Sequence, residues 1–545
     1  METLVKPLFE GDGAIGGGFE GAERTSRETL RWTPRMQSPD NAINAVKEMA
    51  DARSEDMVQN DGYASGSVML HKDNIVGSQY RLNAKPNWRA LGVSEEWAEE
   101  FQQVVEPRFN SLAESIDCWF DAAGKMTFTD QIRLTVGTFC LAGESLASVE
   151  WLKDQPRRPF KTAILEISPH RLSNPDNMPD DRFLRRGIRR DRFGRPLKYC
   201  IRDAHPYDIT DLGRFQWKEV AAEKPWGRRQ IIHIIEQRLP DQSRGISDMV
   251  SVLKQMRMTK NFQEITLQNA VVNATYAAAI ESELPSADVF ATIGAGQSSN
   301  PVVSGVDAYL QYYLGALSGY LDSSKNIQMD GVKIPHLFPG TKLNLKPVGN
   351  PGGVGSDFEQ SLLRYIAAPL GLSYEQFSRD YTRTNYSSAR ASMNETWKFM
   401  QSRKKVVADR KANNIYALWL EEEFARGNVP LPPGKSRDWF YEPGVKDFLV
   451  ESDWIGASRG QIDELKETKS ALARIDGGLS TYEKECARLG EDFRRVFEQR
   501  ARENKIMADL SLSFNTSEKK PQVEASEQET KAEAENTQEE DEEEL

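Results

Sequence analysis

FEQSLLRYIAAPLGLSYEQFSRDYTRTNYSSARASMNETWKFM, residues Phe358 to Met400, is the stretch from which the fold is read. It has the punctuation of a helix, a tight break, a short second helix, a polar connector and a third helix. Ser356 with Glu359, and Ser373 with Gln376, stand at capping-box spacing. There a hydroxyl takes one backbone N–H and the longer side chain reaches back for another, so a helix start is predicted at each place. Pro369 and Gly371 predict the end of the first helix, because proline lacks a donor and glycine accepts a left-handed turn. From Asn385 onward, Ala389, Met393, Trp397 and Met400 recur at helical spacing, an apolar stripe that needs something to pack against.

Working outward, helical pieces are predicted over Pro39 to Val58, Glu95 to Phe120 and Phe128 to Cys140. They alternate with strand-like runs at Ser145 to Leu152, Thr162 to Ile167, Leu197 to Ile201 and Gln230 to Glu236, which makes an α+β region. RFLRRGIRRDRFGRPLK, Arg182 to Lys198, predicts a β-hairpin turning at Phe193-Gly194 with alternating exposed arginines, either solvated or touching DNA or a partner. From Asp248 one helix can run to about Ile280, apolar along Met249, Leu253, Met256, Met258, Phe262 and Ile265. At ~1.5 Å per residue that is close to ~50 Å, longer than a small domain needs. A second apolar-sided span, Pro301 to Leu321, follows after a Gly-, Ser- and Pro-rich insertion, Glu281 to Asn300.

The chain has 545 residues, with 39% hydrophobic and 28% charged, a globular balance of a size that suggests about three or four packing units. The longest mostly apolar stretch, Ala270 to Ile280, is broken by Asn273 and Thr275 and falls short of the ~20 residues that span a bilayer, so no membrane partner is expected. The N-terminus has no basic start followed by an apolar core, so secretion is not indicated. Cys118, Cys140, Cys200 and Cys486 stand far apart with no C-x-x-C pair, as isolated thiols in a reducing compartment do. The net charge is −12, but Ser513 to Leu545 holds twelve Asp or Glu and three Lys or Arg, a net of −9 that leaves −3 for the rest. That tail is too poor in apolar residues to offset the cost of ordering, so disorder is expected. It is either simply solvated, or it repels DNA or engages a basic surface of a partner. The nearly neutral remainder lacks the strongly basic stripe expected of a sequence-specific nucleic-acid binder, since neutralised phosphates supply much of such affinity.

Catalytic patterns do not hold together. Gly456, Ser458 and Gly460 match G-x-S-x-G, but a hydrolase of that kind needs a histidine after its serine and the last one here is His336. The motif reads as a turn capping a helix that begins near Gln461. Gly16, Gly18 and Gly21 match G-x-G-x-x-G without a strand leading in. Gly349 to Asp357 opens a helix but lacks the Lys-Ser/Thr of a phosphate-binding loop. The five histidines, His71, His170, His205, His233 and His336, have no ligand spacing, and His205 between Asp203 and Asp208 is the one polar cluster of note. No catalytic residue, metal or cofactor is expected.

The wording of the opening stretch resembles the lambda-type bacteriophage portal family, in which a helix ending AA-x-LG-x-SYEQ is followed by NYSSARA-x-x-x-E-x-W. Further blocks agree in order: NDGYASGSVMLHKDNIVGSQYRLNAKPNW (Asn60 to Trp88), ISPHRLSNPDN (Ile167 to Asn177), IIHIIEQRLPDQSRGISDM (Ile231 to Met249), YAAAIESEL (Tyr276 to Leu284), KIPHLFPG (Lys333 to Gly340), DWIGASRGQIDELKE and GLSTYEKECARLGEDF (Asp453 to Phe493). The resemblance spans roughly Ile43 to Arg500.

It implies an α+β portal fold that forms a ring. The expected parts are a flexible Gly-rich arm (1–35), an α+β wing (36–247), stem helices (248–322) with a clip at about 281–300, a tunnel-loop and wing region (323–395), a helical C-terminal crown region (396–512) and the acidic tail (513–545). It further implies a dodecameric ring at one capsid vertex. Double-stranded DNA would be packaged and ejected through it without sequence preference. The terminase large subunit and the head-tail connector would dock on it, with major capsid and scaffold proteins around it. Its place would be the virion, and the host cytoplasm during assembly. By position, Asn350, Gly352, Gly353, Gly355, Ser356 and Asp357 correspond to the loop that faces DNA, though an ordinary connector fits as well, and Glu281, Glu283 and Asp288 to the clip that meets a partner. The competing readings are another ring-shaped head-tail component, or a packaging nuclease or ATPase.

Overall fold

Thr127 opens a helix with a complete capping box: its side chain takes the N–H of Asp130, and the Asp130 carboxylate takes the N–H of Thr127. The computed structural model describes residues 29–279, 354–460 and 463–512, with Ala22, Arg27 and short pieces at 311–312, 327–329 and 332–334. They fall into two compact units, Met1–Ala457 and Ser458–Leu545.

The first unit is mixed α and β. Its order is α1 (Pro39–Asn44), α2 (Lys47–Asn60), α3 (Gly62–Ile75), β1 (Arg81–Ala84), α4 (Trp88–Leu91), α5 (Glu95–Ala113), α6 (Phe128–Ala142), β2 (Glu144–Trp151), β3 (Thr162–Ile167), β4 (Leu184–Arg185), β5 (Ile188–Arg190), β6 (Pro196–Arg202), β7 (Trp217–Ala221), β8 (Ile231–Ile235) and α7 (Leu253–Ala279). A short hairpin, β9 (Ile327–Met329) and β10 (Val332–Ile334), precedes α8 (Val354–Ala367), α9 (Tyr374–Ser378), α10 (Tyr386–Lys404), α11 (Arg410–Arg426), α12 (Val445–Leu449) and β11 (Ser452–Ile455). The sheets are antiparallel: β3-β2-β8, the meander β4-β5-β6-β7, and β1 with β11, where Arg81 faces Ile455 across most of the chain. The second unit holds α13 (Glu464–Asp476), α14 (Tyr482–Arg488) and α15 (Phe493–Asp509).

Aromatic rings fill the core of the first unit. Phe109 of α5 lies 5.1 to 5.8 Å, centroid to centroid, from Phe120, Phe128, Tyr416, Trp419 and Trp454. Tilted and edge-on contacts of this kind add to the gain from burial. Between α10 and α11 the chain takes one π-helical turn, Lys405–Asp409. Asp409 there accepts from Lys404 Nζ at 2.9 Å and from the Tyr80 hydroxyl. Residue 396, expected to begin the C-terminal region, falls within α10, and α11 runs through the core of the first unit.

Several expected boundaries move, each for a local reason. α5 stops at Ala113, because a turn with Cys118 at φ +50° redirects the chain and brings Phe120 back onto Phe109. The helix expected from Asp248 opens with a 3₁₀ turn, Asp248–Ser251, capped by Ser247. Ser356, expected to stand just before this helix, lies inside α8, and Glu359 accepts from Gln263. At α9, Ser373 does cap the helix by taking the Gln376 N–H at 3.3 Å. The Gly456–Gly460 turn does not cap α13, whose cap is Asp463. Gly371 ends the first break as expected, at φ +67°, where a β-carbon would sit 2.3 Å from the Phe399 ring. The hairpin at Phe193-Gly194 forms between β5 and β6, but its arginines are mostly paired: Arg189 with Glu219, Arg195 with Glu223, Arg186 with Glu48, and Arg190 with Asp40.

Candidate functional site

The long helix α7 is anchored at its root and uncovered further along. At the root, Met249, Val252, Leu253 and Met256 are buried. Asp248 accepts from Arg403 Nη2 at 2.8 Å and from Arg238, while Arg403 Nη1 donates to Glu236 at 2.7 Å. The same guanidinium lies 5.0 Å from the Phe139 ring and 5.1 Å from that of Phe399, so one side chain of α10 ties α6, the end of β8 and the start of α7 together. Charge-assisted bonds and cation–π contacts are stronger where solvent is excluded.

Immediately before this root, Glu144 forms the centre of a buried ion cluster. It accepts from Arg244 Nη2 at 2.5 Å and from the Gly245 N–H at 2.8 Å, and Lys47 Nζ stands 3.2 Å away. His233 Nε2 lies 3.1 Å from its second oxygen. Burial pushes the Glu144 carboxyl up, but Arg244, Lys47 and the His233 contact together hold it well below the usual carboxylate range. Backbone contact is equally close: a β-carbon on Gly143 would meet the Ile246 backbone at 2.2 Å. The two segments therefore lock, and α7 leaves from a fixed point.

Farther out, α8 backs α7. Phe358 sits edge-on to Phe262 at 6.2 Å, and Gln263 Nε2 donates to Glu359 Oε1 at 2.5 Å. Beyond this pair, Ile265, Leu267 and Val271 are 56%, 66% and 56% exposed. From Ile265 to Ala279 the helix has no charged residue. Among the described residues nothing covers this apolar, neutral flank.

The residues singled out from sequence are divided by this geometry. Asn350, Gly352 and Gly353, and Glu281, Glu283 and Asp288, lie outside the described residues. Gly355 and Ser356 fall in the first turn of α8, and Asp357 follows them with its carboxylate 3.7 Å from Arg383 Nη1, both side chains largely exposed. The root of α7 was not singled out, although Asp248 and Arg403 carry its fixation; a lone Asp and a lone Arg 155 positions apart have no pattern to announce them.

A polar cleft of about 970 Å³ lies between α1–α2 and the loops around Pro169, Asp180 and His205. Its charges are paired across it: Glu48 accepts from Arg186 and Tyr207, and His170 stands 3.1 Å from Glu55. The bond to Glu55 raises the His170 pKa. Among the described residues no three His, Cys, Asp or Glu side chains are grouped to hold a metal, and no helix is long and apolar enough to cross a membrane. All four cysteines are free, and burial pushes the Cys140 thiol up to about 12.

The helix is thus fixed at its root and open further along among the described residues, with the charges at the root committed to internal pairs. The family described as phage portal protein, lambda family, matches residues 25–404, and the chain belongs to that family, a structural one. It is 40% identical over 495 residues to the portal protein of Escherichia phage N15, covering 90% of this chain and 89% of that one. To portal protein B of Escherichia phage lambda it is 39% identical over 494 residues, covering 90% and 88%. A probable portal protein of a Halomonas phage is 20% identical over 494 residues, covering 87% of this chain and 84% of that one. Among solved structures, a chain from the neck of an empty gene transfer agent particle gives a TM-score of 0.38 at 14% identity, covering 84% of this chain and 96% of that chain, a likeness too slight to argue from.

Proposed function

We propose that this portal protein assembles head to tail into a closed ring of about twelve copies at a single capsid vertex, through which double-stranded DNA enters and leaves the head. The observation that carries this reading is α7: held rigidly at Asp248, yet uncharged and uncovered from Ile265 to Val271. In a ring, such helices form a wall whose apolar flanks meet neighbouring copies and whose lack of cations keeps phosphate contacts weak. On this reading residues 36–247 are the wing, 248–322 the stem with its clip, 323–395 the tunnel-loop and wing region, and 396–512 the crown. Asn350 to Asp357 then face DNA, and Glu281, Glu283 and Asp288 meet the terminase large subunit and later the head-tail connector. Major capsid and scaffold proteins surround the ring in the host cytoplasm, and it remains in the virion. No cofactor is required, since the energy of packaging is supplied by the terminase.

The test is to purify the full chain, image it in negative stain and weigh it by light scattering, alone and with scaffold protein. A ring with a central hole wide enough for duplex DNA is the expected result. A particle that stays monomeric with scaffold, or one that cleaves DNA or hydrolyses ATP until a particular carboxylate is replaced, would overturn the proposal.

A further inference from the structure

Two buried oxygens in the wall of the polar cleft have nothing to accept from. Asn44, the last residue of α1, and Asp51 of α2 both line the cleft and are 7% and 3% exposed. Asn44 Nδ2 donates to Asp180 Oδ2 at 2.7 Å, and because a carboxylate accepts, this bond fixes which end of the amide faces Asp180 and leaves Oδ1 unspent. Asp51 Oδ2 takes Lys47 Nζ at 2.9 Å. Neither Asn44 Oδ1 nor Asp51 Oδ1 has a partner among the described residues. Buried acceptors are rarely left unmet, because desolvation is then uncompensated. Burial also raises the Asp51 carboxyl above its usual range despite Lys47, so the site is short of positive charge.

The rest of the lining selects the donor. Five carboxylates, Glu48, Asp51, Glu55, Asp180 and Asp208, face four cations, Lys47, Arg186, Arg202 and Arg244. Each of those cations is spent: Lys47 and Arg244 on Glu144, Arg186 on Glu48, and Arg202 on Asn177 and Ser173. An anion would therefore find no free counter-charge. A metal ion would find no group of three ligating side chains among the described residues, and a space of about 970 Å³ is that of an organic ligand. An ammonium group brings both what is missing, a positive charge and up to three N–H donors. Asp208 adds a second attachment, since it is exposed where it lines the cleft and its carboxylate has no partner among the described residues.

We propose that the cleft is a binding site for a linear alkyl diamine, with one ammonium donating to Asn44 Oδ1 and Asp51 Oδ1 and the other meeting Asp208. The site is built within a single copy of the chain. Its test is isothermal titration of the full chain with putrescine, and with butylamine, which lacks the second ammonium. The expected result is saturable uptake of one putrescine per chain, with butylamine bound roughly tenfold more weakly. Asn44→Leu keeps the charge and removes one acceptor, and should weaken both amines roughly tenfold. Asp208→Asn changes only an exposed side chain, and should bring putrescine down to the affinity of butylamine. The acids of 513–545 add a background of cation binding that is the same in every variant.

Titration without saturable uptake would mean that water alone meets the two oxygens. Equal affinity for the two amines in the wild type would remove the second attachment at Asp208. Uptake unchanged by both Asn44→Leu and Asp208→Asn would place the amine on the acids outside the cleft. Each of these outcomes overturns the proposal, and none of them bears on the ring.

Discussion

The two units of this chain solve the same problem in opposite ways. Met1–Ala457 turns its large rings inward, so that Trp419, Phe109 and Tyr416 have no measurable exposure, while α13 to α15 keep every apolar side chain at least partly in water. Both contain helices with clear apolar periodicity. The difference is what lies opposite: in the first unit the chain returns to cover each face, and β11 comes back to pair with β1. In the second, none of the three helices has a buried residue. Periodicity reports a face that wants burial and says nothing of whether the same molecule provides it.

The largest test of the contrast is Trp419→Ala. The side chain is fully buried beside Phe109 and Tyr416, so its removal leaves a cavity and should cost about 3–5 kcal/mol. Leu472→Ala in the C-terminal unit should change the monomer by less than ~0.5 kcal/mol. Urea unfolding of the two variants at monomer concentrations compares them directly. Equal shifts in midpoint would break the contrast.

Next in size is Glu144→Gln. Neutralising the centre of the buried cluster leaves Arg244 without its counter-charge and Lys47 with Asp51 alone, a loss on the order of 3 kcal/mol. The pH dependence has a definite sign. Because the folded Glu144 carboxyl is held below its unfolded value of about 4.3, its contribution is complete above that pH and is lost as pH falls through the folded value. The wild type should therefore lose stability on acidification more steeply than Glu144→Gln. Parallel profiles between pH 6 and the acid limit of the native state would show that Glu144 is not ionised in the fold.

Much of this architecture is legible in the residues, and the gaps have causes. β3 is found at its expected bounds, Thr162 to Ile167, and β2 and β8 within a residue, because continuous apolar runs bounded by polar turns have few alternatives. α3 was not predicted. Its buried face is Ala64, Ser67, Val68, His71 and Ile75, where small and polar residues take the places that usually hold large apolar ones. The β1–β11 pair joins two four-residue strands from opposite ends of the first unit, and neither is long enough to announce itself. The site was legible as a long helix from Asp248, but not its fixation, since Arg403 meets Glu236 and Asp248, and Glu144 meets Arg244 and Lys47, only after the fold has formed.

That fixation gives a third test. Arg403→Ala removes charge-assisted bonds to Glu236 and Asp248 and contacts with two rings, at about 1.5–3 kcal/mol. Because the apolar root stays buried, α7 should remain helical, while amides over 249–256 exchange faster. Unchanged exchange there would mean that Met249, Val252 and Met256 alone hold the helix, and the anchored root would owe nothing to charge.

The smallest effect belongs to the wet cleft of the first unit, where the body most resembles the C-terminal unit. His170 and Glu55 form a pair open to solvent, with side chains 22% and 41% exposed, so screening limits it to at most ~1 kcal/mol. The bond to Glu55 raises the folded His170 pKa above its usual value near 6.5. A raised folded value means that the contribution is complete below the unfolded pKa and fades as pH rises through the folded one. Stability should therefore slope gently downward above neutrality. His170→Asn should flatten that slope by losing the stabilisation on its acid side and match the wild type at the alkaline end, which thermal unfolding between pH 5 and 9 would resolve. If the slope survives in the variant, the cleft is held by Glu48, Arg186 and Tyr207 alone, and α2 meets the meander through contacts that do not titrate near neutrality.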